Sequence, residues 1–290
     1  MRLTSFCHED GIPCVGIVTA GGIVDLSRAA PTLPRGLKQL LRAGYSALQA
    51  AETAAKEAAA TAIFDPGAVT LLPLVPDAGK VLCVGMNYSD HIAEAGAVPP
   101  GFPVFFIRAL TSLVGHGQAM VVPKVSHQFD YEGELAVVIG KAGRYIEQAS
   151  ALAHVAGYSV FNDGSVRDYQ LERGPQWTMG KNFDFSGALG PWLVTPDELP
   201  EGGRQLTLQT RLNGQVVQDS NTSNMIYDVA YLIAYASQAM TLEVGDVIVT
   251  GTPEGVGFSR KPPIFMKNGD ICEVEIEGIG NLRNPVMGEA

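Results

Sequence analysis

The first 25 or so residues alternate short apolar pieces with turns: RLTSF, PCVGIV and GGIVDL. Pieces of that length, bounded by Gly and polar residues, predict a small β-meander. Residues 37–63 change character, with Ala, Leu, Glu and Lys dominating, and predict helix. ATAIFDPGAVTLLPLVPDAGK follows with three prolines and two glycines and reads as a linker. From Lys80 onward apolar, β-branched runs recur: VLCVG, PVFFI, ELAVVIG, GYSVFND, LTLQTRLNG, DVIVTG and ICEVEIEGIG. These predict strands. One stretch, IYDVAYLIAYASQAM, instead places its apolar residues at helical spacing. The pattern therefore predicts a β-rich α+β chain: a small N-terminal α/β module over residues 1–75 and a larger, strand-dominated domain over residues 80–288.

Within that pattern FDYEGELAVVIG, residues 129–140, stands out. Its second half is a run suited to a buried strand, yet the run is entered through Asp130, Glu132 and Glu134. In a strand Glu132 and Glu134 project to one face, roughly 7 Å apart at Cα. Buried carboxylates are costly unless paired or bound to metal. Two readings stand: a strand whose first residues are still in water, or two oxygen ligands of a hard divalent cation. Asp163, at the end of GYSVFND, supplies a third carboxylate, although such a residue alone reads as a cap or turn. Three carboxylates suit Mg²⁺ or Mn²⁺, whereas zinc recruits His or Cys.

Composition narrows the classes. The chain has 290 residues, 46% of them hydrophobic, a net charge of −10 and a pI near 5.0. That is a globular chain with ample material for a core. An acidic chain without a basic stripe is a poor partner for nucleic acid. No apolar run approaches the roughly 18 residues of a membrane span, and the stretch from Met1 has no signal-peptide core. The four cysteines, Cys7, Cys14, Cys83 and Cys272, form no CxxC pair. The expectation is a cytoplasmic enzyme with reduced thiols.

Three further stretches offer chemistry. DGSVRDYQLERGPQWTMGKNFD holds Arg167, Gln170 and Lys181, ordinarily surface residues. Lys181 lies among apolar and small residues, and either snorkels outward or aims a fixed charge at a site. In GMNYSDHIAEAG, His91 and Glu94 are three apart. On a helical turn they share a face, where they could hydrogen-bond and activate a water, or merely be solvated. Gly85 and Gly96 flank the pair as candidate hinges. TGTPEGVGF, residues 250–258, fits neither the phosphate-loop nor the dinucleotide pattern. It is a tight turn, or a loop whose N–H groups and Thr252 hydroxyl hold a carboxylate.

Taken together, GMNYSDHIAE, DYEGELAVVIG, FNDGSVRDYQ, QWTMGKNFD, LGPW and NTSNMIYDVAYLIAYASQAMTLEVGDVIVTGTPEGVG resemble, in order, the fumarylacetoacetate hydrolase superfamily. The resemblance spans about Lys80 to Pro285 and is nearest the acylpyruvase-like and 2-hydroxyhepta-2,4-diene-1,7-dioate isomerase-like branches. It implies a mixed β-sandwich roll, usually as a homodimer, with Mg²⁺ or Mn²⁺ held by Glu132, Glu134 and Asp163. It implies catalytic roles for His91, Glu94, Arg167, Gln170 and Lys181, and substrate contacts from Gly251 and Thr252. Asp130 is left without a role. Asn224 and Arg108 stand where relatives often carry Asp and Lys, and neither is expected to touch the ligands. The implied activity is metal-dependent C–C bond hydrolysis of acylpyruvate-type 2-oxo acids. The rivals are isomerisation or decarboxylation of 2-hydroxy-dienedioates or oxaloacetate, ureidoglycolate lysis, and a catalytically idle binding protein.

Overall fold

The computed structural model describes residues 1–290. Its centre is the strand Gly133–Ile139, buried along its whole length. It pairs antiparallel with Val155–Asn162 on one side and Val247–Val249 on the other. Beyond these, Gly187–Val194 continues the sheet antiparallel to Val155–Asn162. Val81–Gly85 runs parallel to Val247–Val249, and Val104–Ile107 closes that edge. A five-stranded sheet is ordered Gln215–Asn221, Thr207–Leu212, Ile271–Ile276, Gly280–Gly288, Met120–Val122. Leu135, Val137 and Ile139 share one apolar core with Leu208, Val274 and Ile276 of this second sheet. Ala136 and Val138 join another core, with Leu3, Leu37 and Leu40. The central strand is thus covered on both faces, which explains why its run is continuously apolar rather than alternating. The result is the expected β-rich α+β architecture.

The N-terminal meander forms as read, with strands Arg2–Cys7, Pro13–Thr19 and Gly22–Asp25. Its first strand also pairs with Gly187–Val194, so the meander extends the large sheet. The single helix read over residues 37–63 is two helices, Leu37–Arg42 and Tyr45–Lys56, followed by a short strand Ile63–Phe64. The break falls at Ala43 and Gly44; glycine is a poor helix former. The stretch read as a linker is docked: Thr70–Leu71 pairs with the first strand, and Leu74 and Val75 are fully buried. Prolines there end elements without freeing the chain.

The apolar helix spans Val229–Ala239, not all of residues 226–240, because the Asp228 side chain accepts the Tyr231 N–H at 2.9 Å and sets its start. It buries Val229, Leu232, Ile233 and Ala236 against its own chain, so its apolarity by itself calls for no partner. No helix is long and apolar enough to cross a membrane.

Candidate active site

Strand register brings the three carboxylates together. Gly133 pairs with Asn162. Just past that pair the Asp163 N–H donates to the Glu132 carbonyl at 2.8 Å, and the Glu132 N–H donates to Asn162 Oδ1 at 3.2 Å. Glu132, Glu134 and Asp163 each present an oxygen, all within 4.8 Å of one another. The three residues are 5%, 1% and 0% exposed, so the solvated reading of the strand entry is excluded.

Three buried cations face this charge. Lys181 Nζ donates to Glu132 Oε2 at 2.7 Å and Asp163 Oδ2 at 2.6 Å. Arg167 lies 2.7 Å from Glu132 Oε1 and donates to Asp130 Oδ2 at 2.9 Å and Gln170 Oε1 at 2.8 Å. Its NH2 group is buried without a partner. Arg108, not expected to touch the carboxylates, donates to Asp163 Oδ1 at 2.5 Å. It also bonds the Gly164 carbonyl, Ser186 and Ser112, so its whole guanidinium fork is engaged. Asn224 lies apart, bonding Ser220.

The carboxylates divide electrostatically. Burial opposes the Glu132 charge, but Lys181 and Arg167 outweigh it and hold that carboxyl down at about 2. Burial pushes Glu134 well above the usual carboxylate range, with Asp163 and Glu132 adding to the push. Burial would lower the Lys181 ammonium, yet Asp163 and Glu132 hold it above its ordinary value. A hard divalent cation fits this donor set: three converging carboxylates, no His or Cys ligand, and one carboxylate short of positive charge.

The opposite side of the cleft is the six-residue helix Ser89–Glu94. His91 Nδ1 is buried and bonds nothing in the protein. Burial lowers the His91 pKa; nearby Glu132 opposes this and Arg167 reinforces it. The anticipated His91–Glu94 hydrogen bond is not formed. Glu94 instead accepts the Gly255 N–H at 2.6 Å and the Ser259 hydroxyl.

Residues 80–287 match the family described as "Fumarylacetoacetate (FAA) hydrolase C-terminal". The chain belongs to the fumarylacetoacetate hydrolase family. It is 44% identical to human "Oxaloacetate tautomerase FAHD2A, mitochondrial" over 292 residues, covering 99% of this chain and 92% of that protein. The corresponding Xenopus laevis tautomerase is 41% identical, covering 99% and 90%. Among solved structures, a putative HpcE protein from Mycobacterium smegmatis aligns with TM-score 0.88 and 36% identity over all of both chains. A 2-hydroxyhepta-2,4-diene-1,7-dioate isomerase from Mycobacterium marinum aligns with TM-score 0.77 and 32% identity, covering 100% of this chain and 99% of that one. The family roll expected from the motifs is therefore the fold of this chain.

In this family member one cleft is lined by His91, Glu132, Glu134, Arg167, Gln170, Lys181 and Thr252, with Phe106, Trp177 and Phe258 as apolar walls. Some 560 Å³ within it is free of atoms, open solvent at its mouth included. The 250–258 loop holds carboxylates of the protein itself through its N–H groups. The Gly251 N–H donates to Glu134 Oε2 at 2.5 Å, and Thr252 bonds the Gly133 carbonyl and Gln218. Gly251 has φ 99°, and a Cβ there would meet Asn87 Cβ at 2.8 Å, so the close approach requires glycine. Gly85 ends the strand Val81–Gly85, and a Cβ there would lie 2.2 Å from the Trp177 ring. Asp130 has a clear task. Besides Arg167, it accepts the Gly257 and Phe258 N–H groups at 2.8 and 3.0 Å, tying the loop to the carboxylate strand. Its place in the D-x-E-x-E alternation was the only signal in the sequence for this.

Proposed function

We propose that this chain is a divalent-metal-dependent enzyme that interconverts enol and keto forms of small 2-oxo dicarboxylic acids such as oxaloacetate. The observation that carries the reading is one cleft lined both by His91 and by Glu132 and Glu134, two members of the buried carboxylate cluster that Asp163 completes. Mg²⁺ or Mn²⁺ held by the three carboxylates would supply positive charge where an enolate develops. Lys181 keeps Glu132 and Asp163 in place. Arg167, whose NH2 is buried without a partner, and Gln170 line the same cleft and would orient an acidic substrate. His91, kept neutral by burial, accepts the proton leaving the enol oxygen or C3 and returns it to the other position. No water is consumed and no C–C bond breaks.

Tautomerisation is preferred to hydrolysis because Glu94 is turned to Gly255 and Ser259 rather than to His91. Hydrolysis needs a base oriented to hold a water; proton relocation needs only a neutral base beside the acidic carbon. The tautomerase names of the human and Xenopus relatives and the isomerase name of the Mycobacterium marinum structure support the same choice. An imidazole lining the cleft beside the carboxylates would equally serve to deprotonate a water, which makes acylpyruvate cleavage the second reading.

The deciding experiment follows the ultraviolet absorbance of enol-oxaloacetate with metal-stripped protein before and after adding Mg²⁺ or Mn²⁺. Acid release from acylpyruvates and CO₂ release from oxaloacetate are measured beside it. Metal-dependent ketonisation exceeding both is expected. Acylpyruvate cleavage as the dominant metal-dependent reaction would put the second reading first. The homodimer belongs to the same proposal, and a monomer in sedimentation at micromolar concentration would remove it.

A further inference from the structure

Nothing polar on His91 fixes its position: Nδ1 bonds no protein group, and Glu94 does not reach it. The side chain must be placed by the helix that carries it. That helix has six residues, no side-chain N-cap, and one buried residue, Ile92. Such a turn is marginal without tertiary anchors.

Its polar anchor is the loop at 251–259. Both Glu94 oxygens are used, Oε2 by the Gly255 N–H and Oε1 by the Ser259 hydroxyl. The hydroxyl also lies 2.9 Å from the Val256 carbonyl, but a carboxylate is the stronger acceptor. The same loop is fastened to the carboxylate side by three hydrogen bonds and one ring contact. Gly251 N–H meets Glu134, Gly257 and Phe258 N–H meet Asp130, and the Phe258 ring lies 4.4 Å from the Arg167 guanidinium. One loop thus grips the carboxylate side at one set of points and the His91 helix at another.

We propose that Ser259 and Glu94 form a latch, and that Ser259 is a positioning residue which holds His91 over the carboxylate cluster. Glu94 then acts through geometry, as a carboxylate clasping the loop, and not through its charge on the imidazole. The inference rests on the tautomerase reading for the use made of His91, but the latch itself is a matter of structure.

The test uses the full chain with Ser259→Ala, Glu94→Ala and Glu94→Gln. The first readout is amide hydrogen exchange without substrate at Ile92, Ala95, Gly96 and Ala97, whose N–H groups close the turn. Ser259→Ala is expected to speed that exchange roughly tenfold or more, the scale of one lost charge-assisted hydrogen bond, and Glu94→Ala, which also loses the Gly255 bond, by at least as much. Global denaturation midpoints should stay close to the parent's. Glu94→Gln keeps an oxygen acceptor and an amide that can bond Ser259, and should stay near parent protection. The second readout is the pH profile of kcat/KM, whose limbs should not move in Glu94→Gln. Parent-level exchange in Ser259→Ala would overturn the latch. So would Glu94→Gln as impaired as Glu94→Ala with displaced pH limbs, since that is the signature of a charge acting on His91. Because exchange is read without turnover, a protein inactive on oxaloacetate would defeat the tautomerase reading and leave the latch to stand or fall separately.

Discussion

Glu134 and His91 line the same cleft from opposite supports. Glu134 stands on a seven-residue strand buried from end to end and paired on both sides. His91 stands on a six-residue helix clasped through its last residue. The contrast follows from what each must withstand. Four carboxylates and three cations, all buried, tolerate little displacement, because each unpaired charge costs several kcal/mol. They therefore sit on sheet and on elements buttressed by it. A neutral imidazole imposes no such demand and can ride on a short helix held at its end by a loop.

Four substitutions or conditions probe that contrast. The largest effect is expected from His91→Ala, which should lower tautomerisation by roughly 10²–10⁴-fold, as for a lost general base, while leaving metal affinity near the parent's. Parent-rate ketonisation would remove His91 from the chemistry. Glu134→Gln should weaken Mn²⁺ binding beyond the roughly 10–100-fold typical of an outer partner. Metal-free stability should be kept, since a neutral amide replaces a carboxyl already pushed toward neutrality by burial. Titration calorimetry and a urea melt read the two quantities separately; unchanged Mn²⁺ affinity would contradict the assignment.

Arg108→Lys preserves charge beside Asp163 but cannot also reach Gly164, Ser186 and Ser112. It should cost about 1–3 kcal/mol in a denaturant melt. A melt indistinguishable from the parent's would show that the fork is dispensable.

The smallest effect is in pH. Burial depresses the His91 pKa, so the basic form persists below 6.5, the usual imidazole value. The acid limb of kcat/KM should therefore lie below 6.5, with activity rising as pH climbs through it. By linkage, the depressed value makes the His91 contribution to stability complete above the unfolded-state pKa. That contribution is lost as pH falls through the folded one. An acid limb above 6.5 would mean that His91 is not the titrating base.

The sequence alone determined the elements whose causes are local. The period-two spacing of Glu132 and Glu134, the apolar run behind them and the ordered family motifs led to the roll and to a carboxylate cluster that assembles as read. What only tertiary structure decided are the partners. Arg108 and Asp163 are 55 residues apart, and Glu94 and Ser259 are 165 apart. Strand periodicity says which face a side chain takes, but not which distant group lies opposite it. That depends on register and on how the sheets and loops fold together. Asp130 shows the limit within one motif: alternation marked it as unusual. Only the folded loop revealed that its carboxylate receives the Gly257 and Phe258 N–H groups, which is why a third acid stands at the entry to a buried strand.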